Sequence, residues 1–456
     1  MNRATESGLL SGEAVAGESG FRGFSRTADL HDAIPPPAPG WAVVRLARLR
    51  AALIRPPLWV TLVLCALILA ARRPAQIRNP QLWAEEGKVW YADAYTLGAQ
   101  ALVKSFGGYL NTTQRLVAAV SQWADPAWAP AIFVAAAFVL TLYVAARTQS
   151  ARFPLPPHVG YALAVVLVPD MFEVLLFLNN IDRITAAGFL LVLVSRDPRR
   201  WWQKAHDAAA VSLFGLTGPY SIVFAPLFLW RATKRRTRAS FVLAVLVIGC
   251  ALTQGTLIGL HEKGKLADEG PVAMGYGDFV PEKLLAVPGM RIAGSLLAGY
   301  RVPLDYSLPV ETALGLGVLV AVALLALRKG PARTERVWMG IAFLLVLASA
   351  LYRCRLVLPD LCHAVFGARY FYFPQLIVLW LLLALAVERK RWLSGFAWLL
   401  LFWIVAINIP RLREPGLQDF GWADYAPQIR RGEAVAIPTN PGGIEPWIVR
   451  LPARKP

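Results

Sequence analysis

Long apolar runs alternate with short polar, mostly basic connections along nearly the whole chain. A helix needs about 20 mostly apolar residues to cross the hydrocarbon core of a membrane, and fewer when it is buried inside a bundle. By that measure the pattern predicts about eleven spans, at 57–71, 129–146, 159–168, 184–194, 208–216, 220–230, 241–260, 310–327, 337–352, 373–386 and 392–409. Around Thr217, Gly218 and Pro219 the run equally suits two half-length helices meeting at a break. The expected fold is all-α and polytopic.

Charge orients the threading. Arg147, Arg152, Arg196, Arg199, Arg231, Arg235, Arg328, Arg336, Arg389 and Arg391 fall on alternate connections, and the positive-inside rule places those in the cytoplasm. Only Asp197, Asp207, Glu335 and Glu388 lie near them. Glu85, Glu86, Asp93, Glu173, Asp278, Asp305 and Asp360 fall on the opposite, outer connections. Arg45, Arg48, Arg50 and Arg55, interleaved with leucine and valine, read as an interfacial basic helix on the inner face, so the N-terminus is expected inside. Residues 1–40 are polar and rich in Gly, Ser and Pro, without a signal-peptide pattern, and are expected to form a disordered cytoplasmic tail. The transmembrane domain is placed at 41–409 and a small outer-face segment at 410–456. Three outer segments, 72–126, 261–309 and 353–372, are longer than a hairpin needs, which is where function usually sits.

Composition agrees with lipid as the solvent: of 456 residues 56% are apolar and 17% charged, with mean hydropathy +0.48. The net charge of +18 does not describe a nucleic-acid-binding face, because the basic residues sit in short runs between apolar stretches. Cys65, Cys250, Cys354 and Cys362 show no zinc spacing and are too few for a disulfide scaffold. No set of metal ligands stands out, no phosphate-cradling glycine loop lies on an inner connection, and no cofactor is expected, with assistance by a divalent metal left open. No internal repeat is visible, which weakens a transporter reading.

Three outer stretches carry candidate chemistry. Just beyond the first span, Glu85 and Glu86 sit among Trp83, Trp90, Tyr91 and Tyr95. Aromatic faces stack on the apolar side of a sugar ring and a carboxylate can take a proton from a hydroxyl, although the same residues also suit an aromatic belt at the membrane surface. A second stretch runs Pro169, Asp170, Met171, Phe172, Glu173, then Leu178, Asn179, Asn180, Ile181, Asp182, Arg183. Glu173 is costly near lipid unless it faces a cavity or a partner, while Asn180 and Asp182 read as helix caps. The third holds Arg353, Arg355 and Arg369, with Tyr370 beside the last, against the positive-inside trend. Such a cluster fits a lipid phosphate, or else snorkelling, or pairing with Asp360 and Glu173. His363 reads as a loop histidine. Elsewhere, Gly107 and Gly108 predict a tight turn within 104–109. His261, Glu262, Lys263, Lys265, Asp268 and Glu269 form a solvated stretch followed by Tyr276, Asp278 and Phe279, a possible acceptor contact. The tail, with Trp422, Tyr425, then 435–443, reads as a helix, a short strand and a turn ending at Gly443, capping the outer loops.

This order of features, over about residues 55–450, resembles the GT-C superfamily of integral membrane glycosyltransferases, which take sugars from polyprenyl-phosphate carriers. Trp83, Ala84, Glu85, Glu86, Gly87 is similar to the WAEDG-like motif of uncharacterised bacterial members, with Glu86 where those have Asp. The turn at 104–109 resembles the one before the second surface helix of the related sequences. The resemblance implies inverting transfer on the outer side of a bacterial cytoplasmic membrane, from a polyprenyl-phosphate sugar to a glycan or lipid-linked acceptor. Glu86 or Glu85 would be the base; Arg369, Arg353, Arg355 and Tyr370 would hold the donor phosphate; Trp83, Tyr109, Glu173, Asn179 and Tyr372 would contact substrate. A transporter or flippase of a lipid-linked saccharide is the rival from another class. It needs polar residues at mid-membrane depth, for which Asp182, Arg183 and Gln254 are the candidates. A non-catalytic assembly subunit is the third.

Overall fold

A computed structural model describes residues 56–169, 173–266, 278–299, 306–362, 367–442 and 447–454. The expectations placed on 1–55, on 170–172, and on Asp268, Glu269, Tyr276, Asp305, His363 and Gly443 lie outside the described residues.

The longer helices are α1 (Leu58–Arg72), α2 (Thr112–Ser121), α3 (Ala129–Thr148), α4 (His158–Leu167), α5 (Ile181–Val194), α6 (Trp201–Gly215), α7 (Tyr220–Arg235), α8 (Arg238–Glu262), α9 (Leu308–Leu327), α10 (Arg333–Arg353), α11 (Tyr372–Ala386) and α12 (Arg391–Asn408). Every expected span falls on one of them. Five, at Pro126–Thr148, Arg238–Glu262, Leu308–Leu327, Arg333–Arg353 and Arg391–Arg411, are long and apolar enough to cross a membrane. The other six, α1, α4, α5, α6, α7 and α11, have 10 to 16 residues. At 1.5 Å per residue such helices reach about 15–24 Å, short of a full hydrocarbon core. Two of them, α5 along its entire length and α11 at every residue but Val378, are buried, which is why their sequences show no polar face. The longer helices do the opposite: Val245 and Leu252 on α8, Leu316 and Leu324 on α9, and Leu399 and Phe402 on α12 stand exposed. Apolar side chains on the outside of a packed bundle fit a membrane-embedded protein.

Backbone contact fixes one crossing. A Cβ on Gly315 would overlap the carbonyl oxygen of Leu285, and one on Gly289 that of Glu311, so α9 lies directly against the helical stretch Lys283–Pro288 and its wider-wound continuation Gly289–Gly299. Lys283 Nζ, 2.8 Å from Glu311 Oε2, closes the same contact. At the ends of the bundle predicted to face inward, each of the four acids meets an arginine. Asp207 is ion-paired to Arg147 and Arg152, Asp197 to Arg231 and Arg235, Glu335 to Arg235, and Glu388 to Arg328. These pairs tie separate connections together.

After α12 the chain forms two short helical turns, Trp422–Tyr425 and Ala426–Arg430, and then an antiparallel hairpin of β1 (Val435–Pro438) and β2 (Ile448–Leu451), with Val435 opposite Leu451. The expected single strand is therefore one arm of a hairpin, because its partner lies beyond the turn. The segment does pack on the stretch after α1: Trp422 meets Tyr91 edge-on with centroids 5.1 Å apart, and the Arg454 guanidinium lies 3.6 Å over the Tyr95 ring.

Candidate functional site

The motif around Glu85 is folded by its own second carboxylate. Glu86 N–H donates to Trp83 O at 3.0 Å, closing a turn, and Trp83 N–H donates to Glu86 Oε2 at 2.8 Å. The other oxygen, Oε1, accepts from Asn179 N–H at 3.0 Å. Glu86 is 1% exposed, so it works as a latch between the stretch after α1 and the segment leading into α5. Glu85 points elsewhere: its Oε2 accepts from Asn179 Nδ2 at 2.7 Å, and it lines a cavity of about 220 Å³. Asn179 thus holds both acids, and Gln114 Nε2 steadies it by donating to its carbonyl at 3.3 Å.

Burial pushes the Glu86 carboxyl up to about 8, against the backbone N–H groups of Trp83, Asn179 and Leu178 that favour its ionised form, while the neighbouring Glu85 pushes it further up. The sign follows. A folded-state value above the unfolded one near 4.5 means that stability is fully present below 4.5 and falls as pH rises to about 8. The thermal midpoint of the detergent-solubilised protein is therefore expected to fall more steeply between these limits in wild type than in Glu86→Gln. Equal slopes in the two proteins would contradict the buried latch.

The cavity's cationic wall comes from three places. Arg369, from the short turn before α11, is ion-paired to Glu173, whose carbonyl accepts from Asn180 Nδ2 at 3.0 Å. Arg183, in the first turn of α5, is ion-paired to Asp182 and lies 5.0 Å over the Tyr370 ring and 5.8 Å over that of Tyr220. Arg353, at the end of α10, also lines the cavity, as do Trp83, Trp90, Tyr109 and Tyr370. Gly107 and Gly108 do form the expected tight turn, with positive φ at both, bringing Tyr109 to the wall. Among the described residues no group of three or more His, Cys, Asp and Glu side chains gathers where it could hold a metal ion.

A second chamber of about 160 Å³ adjoins the first, sharing Gly107, Tyr109, Arg183, Arg353 and Tyr370 with it. Its remaining wall is mixed: Pro219 and Tyr220 at the start of α7, Ile258 from α8, and Val346 and Ala350 from α10 are joined by His261 and Glu262 at the end of α8 and by Ser349 and Tyr352 of α10.

Not every expected residue arrives. Arg355 does not line the cavity; it donates to the Tyr352 carbonyl at 3.0 Å and lies over that half-exposed ring. Tyr372 is fully buried because α11 turns it toward α4, where its hydroxyl donates to Val165 O at 3.0 Å. Asn180 makes no side-chain cap, its amide being committed to Glu173. Gln254 is occupied too: Oε1 accepts from Leu110 N–H at 2.8 Å, and Nε2 donates to Leu110 O and Gly218 O at 3.2 and 3.1 Å. The sequence reading gave Asp182 and Arg183 only to the rival carrier and not to this cavity, and it missed Asn111, Pro441 and Trp447. For the first pair the signal was there, adjacent opposite charges opening a helix with no other charged residue.

No protein-family profile matches the chain, and no curated protein matches it.

Proposed function

We propose that this chain is a membrane glycosyltransferase of GT-C type, with eleven spans. It transfers a sugar from a polyprenyl-phosphate donor to a cell-envelope acceptor on the outer face of a bacterial cytoplasmic membrane. The observation that carries the reading is a single cavity lined by the Glu85 carboxylate and by the guanidinium groups of Arg183, Arg353 and Arg369, from three distant stretches of the chain. An acceptor hydroxyl bound at Glu85 gives its proton to the carboxylate as its oxygen attacks the anomeric carbon. The bond from that carbon to the phosphate oxygen breaks, the electron pair leaves with the phosphate, and the arginines meet the second negative charge. Attack opposite the leaving group inverts the anomeric centre. In the chamber beside Arg183 and Arg353, Ile258, Val346 and Ala350 offer the first isoprenoid units apolar contact.

Of the residues a carrier would use at mid-depth, Gln254 is engaged by backbone, and Asp182 and Arg183 belong to the wall of the same cavity as Glu85. The test is reconstitution of the full chain in liposomes with synthetic polyprenyl-phosphate sugars and a bacterial envelope extract as acceptor. Free polyprenyl phosphate and an inverted product are expected. Passage of the intact lipid-linked sugar across the bilayer, or no polyprenyl phosphate released from any donor, would overturn the proposal.

A further inference from the structure

We infer that the C-terminal segment is a working part of this site: Asn440 holds Ala84 in a left-handed backbone conformation and thereby sets the direction in which Glu85 enters the cavity. The inference rests on Glu85 being the base.

Ala84 has φ +50° and is buried, immediately before Glu85. In that region the Cβ of an L residue crowds the following carbonyl, so an unrestrained alanine leaves it for extended or right-handed backbone. Either change would re-aim the next side chain. What prevents it is the tail. Ala84 N–H donates to Asn440 O at 2.6 Å, and Trp83 and Asn440 pair as a short parallel bridge. Asn440 is itself fixed by its side chain: Oδ1 accepts from Gln418 N–H at 3.2 Å and Nδ2 donates to Gln418 O at 2.8 Å.

The grip continues past the acid. Val449 of β2 fills the space where a Cβ on Gly87 would sit, so the hairpin presses on the motif just after Glu86. Pro441, next to Asn440, lines the cavity together with Trp447. A tail that only shielded the outer loops would need neither a backbone bond to the residue before the base nor a strained conformer there. Strain of this kind persists only where the surroundings over-determine it.

The test compares full-length wild type, Asn440→Ala and the double variant Asn440→Ala with Ala84→Gly, all reconstituted alike. Asn440→Ala loosens the clamp, so kcat is expected to fall by about 10- to 100-fold while the donor KM holds, as for a base moved by a fraction of an ångström. The double variant is expected to recover most of kcat, because glycine adopts left-handed backbone without steric cost. A residue that only stabilised the fold would give no such rescue. Labelling of Glu85 by a water-soluble carbodiimide and an amine, mapped by mass spectrometry, should change in Asn440→Ala and return in the double variant. Labelling needs no turnover. A wild type that transfers no sugar would therefore count against the proposed function alone, with the positioning still decided by the labelling ratio. Wild-type kcat and labelling in Asn440→Ala, or a loss that Ala84→Gly leaves in place, overturns the inference. Should Asn440→Ala not fold, Asn440→Asp keeps the bond from Gln418 N–H and loses only the one to Gln418 O; a smaller loss of kcat, again recovered by Ala84→Gly, is expected, and undiminished kcat or an unrecovered loss overturns the inference.

Discussion

Replacing Glu85 with Gln is expected to reduce sugar transfer by about 10²- to 10⁴-fold, the range a positioned general base supplies, while donor binding persists. The amide still accepts from and donates to neighbours but cannot take the acceptor's proton. Glu86→Gln is expected to behave differently. Both Glu86 oxygens accept backbone N–H groups, from Trp83 and Asn179, and a Gln amide nitrogen in either place would face a donor with another donor. Such a mismatch costs about 1–3 kcal/mol, so the loss appears in the thermal midpoint more than in kcat. Parallel turnover and melting measurements separate the two acids. If Glu86→Gln abolished transfer in a protein of normal stability and Glu85→Gln left it intact, Glu86 would be the base and Glu85 the structural acid.

Arg369→Ala is expected to lower kcat/KM for the donor by about 10²- to 10³-fold, comparable to losing one strong donor to a developing anion. Two things go at once: a guanidinium that can hold phosphate bidentately, and the partner of Glu173, whose carboxylate would then repel the incoming phosphate. Arg369→Lys is expected to recover little. A lysine ammonium cannot bridge Glu173 and a phosphate in one plane, and it replaces the guanidinium whose carbon lies over Tyr370, 5.2 Å from the ring centre. Initial rates against donor concentration give the answer, and an unchanged kcat/KM in Arg369→Ala would remove this residue from the phosphate site.

The helices were readable because their apolar runs are set by burial in lipid or in a bundle, and each run maps onto one helix. The membership of the site was readable only in part. Glu173 and Arg369 stand out as charges near lipid, and they meet. Tyr372 and Arg355 share their neighbours' chemistry along the chain, but a helix rotates successive side chains by about 100°, so adjacent residues face different surroundings. Tyr370 reaches the cavity while Tyr372 is turned into the core.

The two adjacent carboxylates make the division plainest. Hydropathy, charge asymmetry and the acidic pair after the first apolar run come from composition and spacing, and these determined the helical architecture and pointed to the stretch after α1 that lines the cavity. Which acid faces the cavity was decided by contacts from Asn179 and Asn440, residues far along the chain whose backbone groups bury one carboxylate and aim the other. Burial and direction depend on what packs against a residue, and a linear pattern holds no record of that until distant segments meet.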